Sequence, residues 1–193
     1  MPRLASIAIR VKSWFRKTLV RLRFDGITFG KHVFIDSGVR FSISAGGSVV
    51  IKDDVYIGRN TLIVAKKGSI EIGQNAHLSH GLTLVCISEV SIGNDCLVGE
   101  YVTIRDQNHG MSAETSFRLQ EAKSKPIRIS RNVWIGAHSS VLMGADIEEG
   151  CIVGANSVVR SKLISSSLYA GVPVKRIRSL DSRESDSQGL LHG

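Results

Sequence analysis

The sequence predicts an all-β fold, a parallel β-helix of hexapeptide repeats, and three observations predict it. Aliphatic residues recur at intervals of six: Ile129, Ile135, Val141, Ile147, Val153 and Val159 form an unbroken run, and all are β-branched. Glycine follows the aliphatic at Gly58, Gly73, Gly93, Gly99, Gly136 and Gly154, and a small side chain stands four places after it at Thr61, Ala76, Cys96, Val102, Ser139, Ala145, Cys151 and Ser157. Asn60, Asn75, Asp95 and Asn156 stand three places after it, where Asn and Asp tolerate the positive φ of a tight corner. A helical period of 3.6 cannot produce this spacing. An alternation of two would not place Gly and Asn so regularly.

Each hexad supplies one short strand and one corner. Three hexads close a triangular coil of about eighteen residues, and coils stack at about 4.8 Å through parallel backbone hydrogen bonds. No hexad folds alone, because burial comes from stacking. Further runs are Ile92, Val98, Ile104; Ile72, Leu78, Leu84; and Ile51, Ile57, Ile63. The last extends backwards in the same register through Ala45, Val39, Val33 and Ile27. Lys66-Lys67-Gly68 and the stretch Ile87 to Val90 interrupt the register briefly. The large interruption is the excursion 106–126, a polar loop carrying His109, Gly110, Met111 and Arg118. A loop of that length between two strongly periodic blocks points to function.

Residues 1–26 read as a basic amphipathic helix, with Ile7, Val11, Trp14, Phe15, Leu19 and Leu22 at three-to-four spacing and basic residues between them. The formal net charge of +8 comes almost wholly from this end of the chain. Two readings stand: a cap on the open end of the β-helix, or a peripheral contact with an anionic membrane surface. The β-helix domain then runs over 27–178, and 179–193 reads as a disordered polar tail. Zinc-finger spacing, RNA-binding aromatics and a basic stripe in the body are absent from the sequence, which argues against nucleic acid. No stretch of about 18 apolar residues is present to span a bilayer. Three cysteines without CxxC spacing suggest packing in a reducing cytoplasm, with the inner face of the membrane as the place of any peripheral contact.

With the repeat, the Asn132-Val133-Trp134-Ile135-Gly136-Ala137 block after the excursion and the Ala170-Gly171-Val172-Pro173 run, the chain resembles the hexapeptide-repeat acyltransferases. The resemblance covers roughly residues 27 to 177 and is nearest the sugar and polysaccharide O-acetyltransferases, similar to the maltose, galactoside and xenobiotic acetyltransferases. It implies a left-handed β-helix, a homotrimer with active sites between subunits, acetyl-CoA as acyl donor, a sugar or glycan acceptor and no metal. His109 occupies the place of the family's catalytic histidine. Many relatives carry two histidines there, and this chain has one.

Acetyl transfer from a thioester to an alcohol needs a base, an oxyanion donor and a place for the departing thiolate. A neutral imidazole suits the first task at neutral pH. Asp106, or a backbone carbonyl, is a candidate to orient His109, and Asn108 a candidate to orient it or to position the acceptor. Backbone N–H groups at Gly136 or Ala137 are candidates for the oxyanion or the pantetheine amides. Trp134, Gly154 and Ala155 are further candidates for acyl-CoA contact, and Lys162, Lys175 and Arg176 for its phosphates. Fold alone does not fix function. His77, His80 and His109 also raise a γ-class carbonic anhydrase-like zinc enzyme, and a non-catalytic β-helix scaffold is the second alternative.

Overall fold

The computed structural model describes residues 7–180, with side chains from residue 11 onward. Three parallel sheets form the faces of a prism, and the chain visits them in the order A, B, C in each coil. Sheet A stacks Ile27–Phe29, Ser48–Ile51, Ser69–Ile72, Glu89–Ile92, Ile127–Ile129, Asp146–Ile147 and Lys162–Leu163. Sheet B runs from Phe34–Ile35 up to Ser167–Ala170 and ends in an antiparallel strand, Lys175–Ser179. Sheet C runs from Arg40–Ser44 to Val158–Val159. Six full coils result, with a partial seventh.

The six-residue aliphatics point inward and are fully buried, among them Ile51, Ile57, Ile63, Leu78, Ile104 and Ile135. Burial of each contributes about 1.5–3 kcal/mol. Beside them, Thr61, Ala76, Cys96, Val102, Ser139, Ala145, Cys151 and Ser157 fill the narrow corners and are buried as well. Asn60, Asn75, Asp95 and Asn156 take φ between 56° and 59°, the left-handed corner geometry that the pattern predicts.

After the excursion the register follows the eighteen-residue coil: Ile129 pairs with Ile147, Ile135 with Val153 and Val141 with Val159. Before it the coils are longer, because extra residues bulge at the corner between sheets C and A. Ile72 pairs with Ile92 and Ile51 with Ile72. In the first coil the sixfold run does not continue through Ala45. Ala45 is an exposed turn residue at φ 54°, and Phe29, Ile35 and Phe41 are the partners of Ile51, Ile57 and Ile63. Ile27 and Val33 lie two places earlier and are buried as well, Ile27 within the first strand and Val33 at the corner after it.

The helix Ile7–Arg23 caps the first coil. That coil has no neighbour below, so its backbone groups need partners from elsewhere. Ser13 supplies one: its Oγ accepts the Ile35 N–H at 2.9 Å, and Ser13 is buried. Arg16 donates to the Ile35 carbonyl at 3.0 Å, and Arg21 to that of Phe29 at 3.1 Å. No described helix is long and apolar enough to cross a membrane. The expected tail lies, beyond residue 180, outside the described residues.

Candidate active site

The excursion leaves sheet C after Thr103–Arg105 and rejoins sheet A at Ile127–Ile129. Its base is a short antiparallel ladder in which Gln107 pairs with Ser124 and Asn108 with Lys123. Its tip is braced by Gln120, whose side chain accepts the Ser112 N–H at 2.9 Å and donates to the carbonyls of Ser112 and Thr115 at 2.7 and 2.9 Å. Nothing in the spacing of the sequence announces this clamp, because it joins residues of an aperiodic segment.

Asp106 stands at the mouth of the loop and is fully buried. One carboxylate oxygen accepts the N–H of Ile87 at 3.0 Å, and the other those of Ser88 and Glu89 at 2.7 and 3.0 Å. The Cys86 thiol donates to it at 3.3 Å. Its backbone carbonyl accepts from Lys125, which closes the loop mouth. The carboxylate thus ties the loop to the corner one coil below, a corner that carries extra residues. Burial, and then the neighbouring Asp106 carboxylate, push the Cys86 thiol up to about 12.

His109 lies one residue past the ladder and is exposed. Among the described residues none hydrogen-bonds its ring. Asn108 is half-buried within the ladder, beside His109 in the chain. The remaining candidates lie on other parts of the prism. Trp134 projects from sheet B between Leu97 and Ile152 and is 50% exposed. Gly136, Ala137, Gly154 and Ala155 follow the sheet B strands at the corner between B and C. Gly136 permits the close stacking of that corner, since a Cβ there would lie 2.5 Å from the Ala155 nitrogen. The Gly136 N–H donates to the Val153 carbonyl of the next coil at 2.7 Å, so it is not available to an oxyanion. Among the described residues none accepts from the N–H of Ala137. Lys162 extends from sheet A into an ion pair with Glu148 at 2.7 Å, which holds its pKa above the ordinary lysine value. Lys175 and Arg176 sit on the terminal antiparallel strand, where Arg176 donates to Ser167 at 3.0 Å. One chain therefore roots the loop that carries His109 at the C–A corner and places the Ala137 group at the B–C corner.

Two open clefts, of about 480 and 320 Å³, lie elsewhere; neither is lined by His109. The smaller holds His77 and His80. The His77 ring stacks on Tyr56 at 4.5 Å, and His80 meets Tyr101 edge-on at 5.1 Å. Among the described residues no group of three or more His, Cys, Asp or Glu side chains is placed to hold a metal ion. Tyr101 in turn stacks on His138 at 5.2 Å, both at positive φ. A tyrosine at such a corner breaks the Asn pattern, which is why the sequence conceals it.

Stacked coils with a braced loop at one break define a hexapeptide-repeat β-helix. Comparison with known proteins bears on the class. A model of the bacterial transferase hexapeptide (six repeats) matches residues 126–161, and one of the hexapeptide repeat of succinyl-transferase matches residues 48–86. The chain is 30% identical over 165 residues to the "Putative lipopolysaccharide biosynthesis O-acetyl transferase WbbJ" of Escherichia coli K12, covering 79% of this chain and 77% of that one. It is 34% identical over 116 residues to the galactoside O-acetyltransferase of the same organism, covering 60% and 57%. The match spans 42% of the length of a relative from Mycobacterium tuberculosis. Among solved structures, a point mutant of AntD, an N-acyltransferase from Bacillus cereus in complex with dTDP and coenzyme A, shares the fold at TM-score 0.71 and 23% identity over 90% of this chain and 93% of that chain. The chain belongs to the hexapeptide-repeat acyltransferase family.

Proposed function

We propose that this chain transfers an acetyl group from acetyl-CoA to a hydroxyl of a sugar or polysaccharide, with His109 as general base. The observation that carries the reading is the placement of His109: an exposed imidazole, free of hydrogen bonds from the described residues, on a loop pinned by Asp106 and braced by Gln120. The relative named for lipopolysaccharide biosynthesis and the galactoside O-acetyltransferase support a sugar acceptor. The coenzyme A in the AntD complex supports the donor.

In this reading His109 takes the proton of the acceptor hydroxyl as its oxygen attacks the thioester carbonyl. The N–H of Ala137 supplies a donor to the oxyanion or to a pantetheine amide. The C–S bond breaks, and the imidazolium returns the proton to the departing CoA thiolate. A base of this kind contributes about 10²–10⁴-fold. Asp106 acts by holding the loop, and Asn108 stands beside His109 to meet the acceptor.

The rooting of the loop at one corner of the prism and of Ala137 at another supports a homotrimer, in which the loop edge of one copy faces the B–C corner of the next. Three free, buried cysteines fit work in the cytoplasm.

The test is incubation with acetyl-CoA and a panel of sugar acceptors while thiol release is followed. Acceptor-dependent release that falls at least about 10²-fold in His109→Ala is expected. Full activity in that variant, or no acceptor-dependent release from any sugar, would overturn the reading. Light scattering of the purified chain tests the trimer, and a monomer that is fully active rejects the shared site.

A further inference from the structure

The capping helix has a second face, and its chemistry is the reverse of what a cap needs. At about 100° per residue, Ser13, Val20 and Phe24 fall on one side, and this is the side turned to the coil: Ser13 is buried, while Val20 and Phe24 pack against the core. The opposite arc carries Val11, Phe15, Leu19 and Leu22, with Trp14 at its margin. All are exposed, Leu19 at 66% and Leu22 at 80%. The Trp14 and Phe15 rings meet edge-on at 5.0 Å, so two aromatics lie together on the outer surface. Lys12 and Arg23 border the arc on one side and Lys17 on the other, while the Arg21 guanidinium turns back to the Phe29 carbonyl. No acid occurs anywhere in Ile7–Arg23.

We propose that this outward face seats the protein on an anionic lipid surface. Capping is done by a serine hydroxyl and two guanidinium groups, which leaves the apolar arc unused by the fold. An exposed apolar stripe with aromatics, bordered by basic residues, matches the interface between acyl chains and anionic headgroups. A second copy of the helix is the competing occupant. It would bring one all-basic helix against another, and like charges on facing helices oppose that pairing. Anionic headgroups supply the missing countercharge.

The test uses the full chain and vesicles, and does not depend on acetyl transfer. Co-sedimentation with vesicles of about 30% phosphatidylglycerol in phosphatidylcholine should be about tenfold or more stronger than with phosphatidylcholine alone, and should weaken with added salt. The triple variant Phe15→Ser, Leu19→Ser, Leu22→Ser should stay in the supernatant with an unchanged thermal midpoint, because these side chains touch no part of the coil core. In a Trp134→Phe background Trp14 is the sole tryptophan, and its emission should shift to the blue on the anionic vesicles. Equal sedimentation of wild type and triple variant would overturn the proposal. So would an absence of vesicle binding. A change of oligomer size in the triple variant, without vesicle binding by the wild type, would assign the face to a second copy.

Discussion

Oδ2 of Asp106 accepts the backbone N–H of Ser88 at 2.7 Å, across the gap between two coils. With the N–H groups of Ile87, on Oδ1, and Glu89, on Oδ2, the carboxylate satisfies three donors of a corner too long for the regular coil-to-coil ladder. Asp106→Ala strands those donors inside the protein at about 1–3 kcal/mol each where water cannot reach them. The expected loss is about 3 kcal/mol or more in urea unfolding, with Asp106→Asn in between. The same variant loosens the loop that carries His109, so activity falls together with stability. An Asp106→Ala protein of wild-type stability with lowered kcat would instead make Asp106 an orienting partner of His109.

The three buried thiols carry a pH dependence. Burial raises the pKa of Cys86, Cys96 and Cys151, and Cys86 reaches about 12 with the help of Asp106. A raised folded-state pKa means the unfolded chain releases the thiol proton first. The stability linked to the protonated thiol is therefore fully present below about pH 8.5, the unfolded value, and is lost as pH rises through the folded one. Between about pH 9 and 12 the urea midpoint of the wild type should fall more steeply than that of Cys86→Ala. Parallel curves would show that Cys86 does not contribute. In the native protein at pH 8 all three thiols should react far more slowly with an aromatic disulfide reagent than after denaturation.

Gly81 and Tyr101 test the corner packing. Gly81 has φ +73°, and a Cβ on it would lie 2.5 Å from the Tyr101 ring. Gly81→Ala should cost about 2 kcal/mol, combining backbone strain with displacement of the ring from its stack on His138. In a Tyr101→Gly background the same substitution should cost only the strain, about 1 kcal/mol. A cost that is the same in both backgrounds would show that the ring does not press on this corner.

The periodic part of the fold was legible because stacking forces the same side-chain class into the same place in every coil. Ile135, Ser139 and Asn156 could each be assigned by counting. Counting failed where the first coil gains residues at the C–A corner, because a shift of two left an apolar residue, Val33, at a position equally able to bury it. At the site, the sequence marked His109 through the break in the repeat. It did not show that the Asp106 carboxylate turns away to the corner below. That partner is set by backbone donors, which every residue type possesses. The Gln120 clamp was hidden for the same reason: its partners are the backbone of Ser112 and Thr115.

Trp134 separates packing from function most sharply. It follows Val133 in the block after the excursion, and its ring stands half out of sheet B between Leu97 and Ile152. A ring that merely plugged the returning loop would contribute to stability, and removing it would leave turnover alone. A ring already half in water gives up little on truncation, so Trp134→Ala should shift the unfolding free energy by about 1 kcal/mol or less. If Trp134 meets the acyl-CoA at the joint between copies, the ring is covered only when donor binds, and the loss appears there. A stacking or apolar contact of about 1.4 kcal/mol corresponds to a tenfold rise in KM for acetyl-CoA. The KM for the sugar should change less, because the proposed reaction holds the acceptor on the His109 side. Donor KM, acceptor KM and urea stability measured on this one variant distinguish the cases. A stability loss of about 3 kcal/mol with unchanged KM values would remove Trp134 from the site.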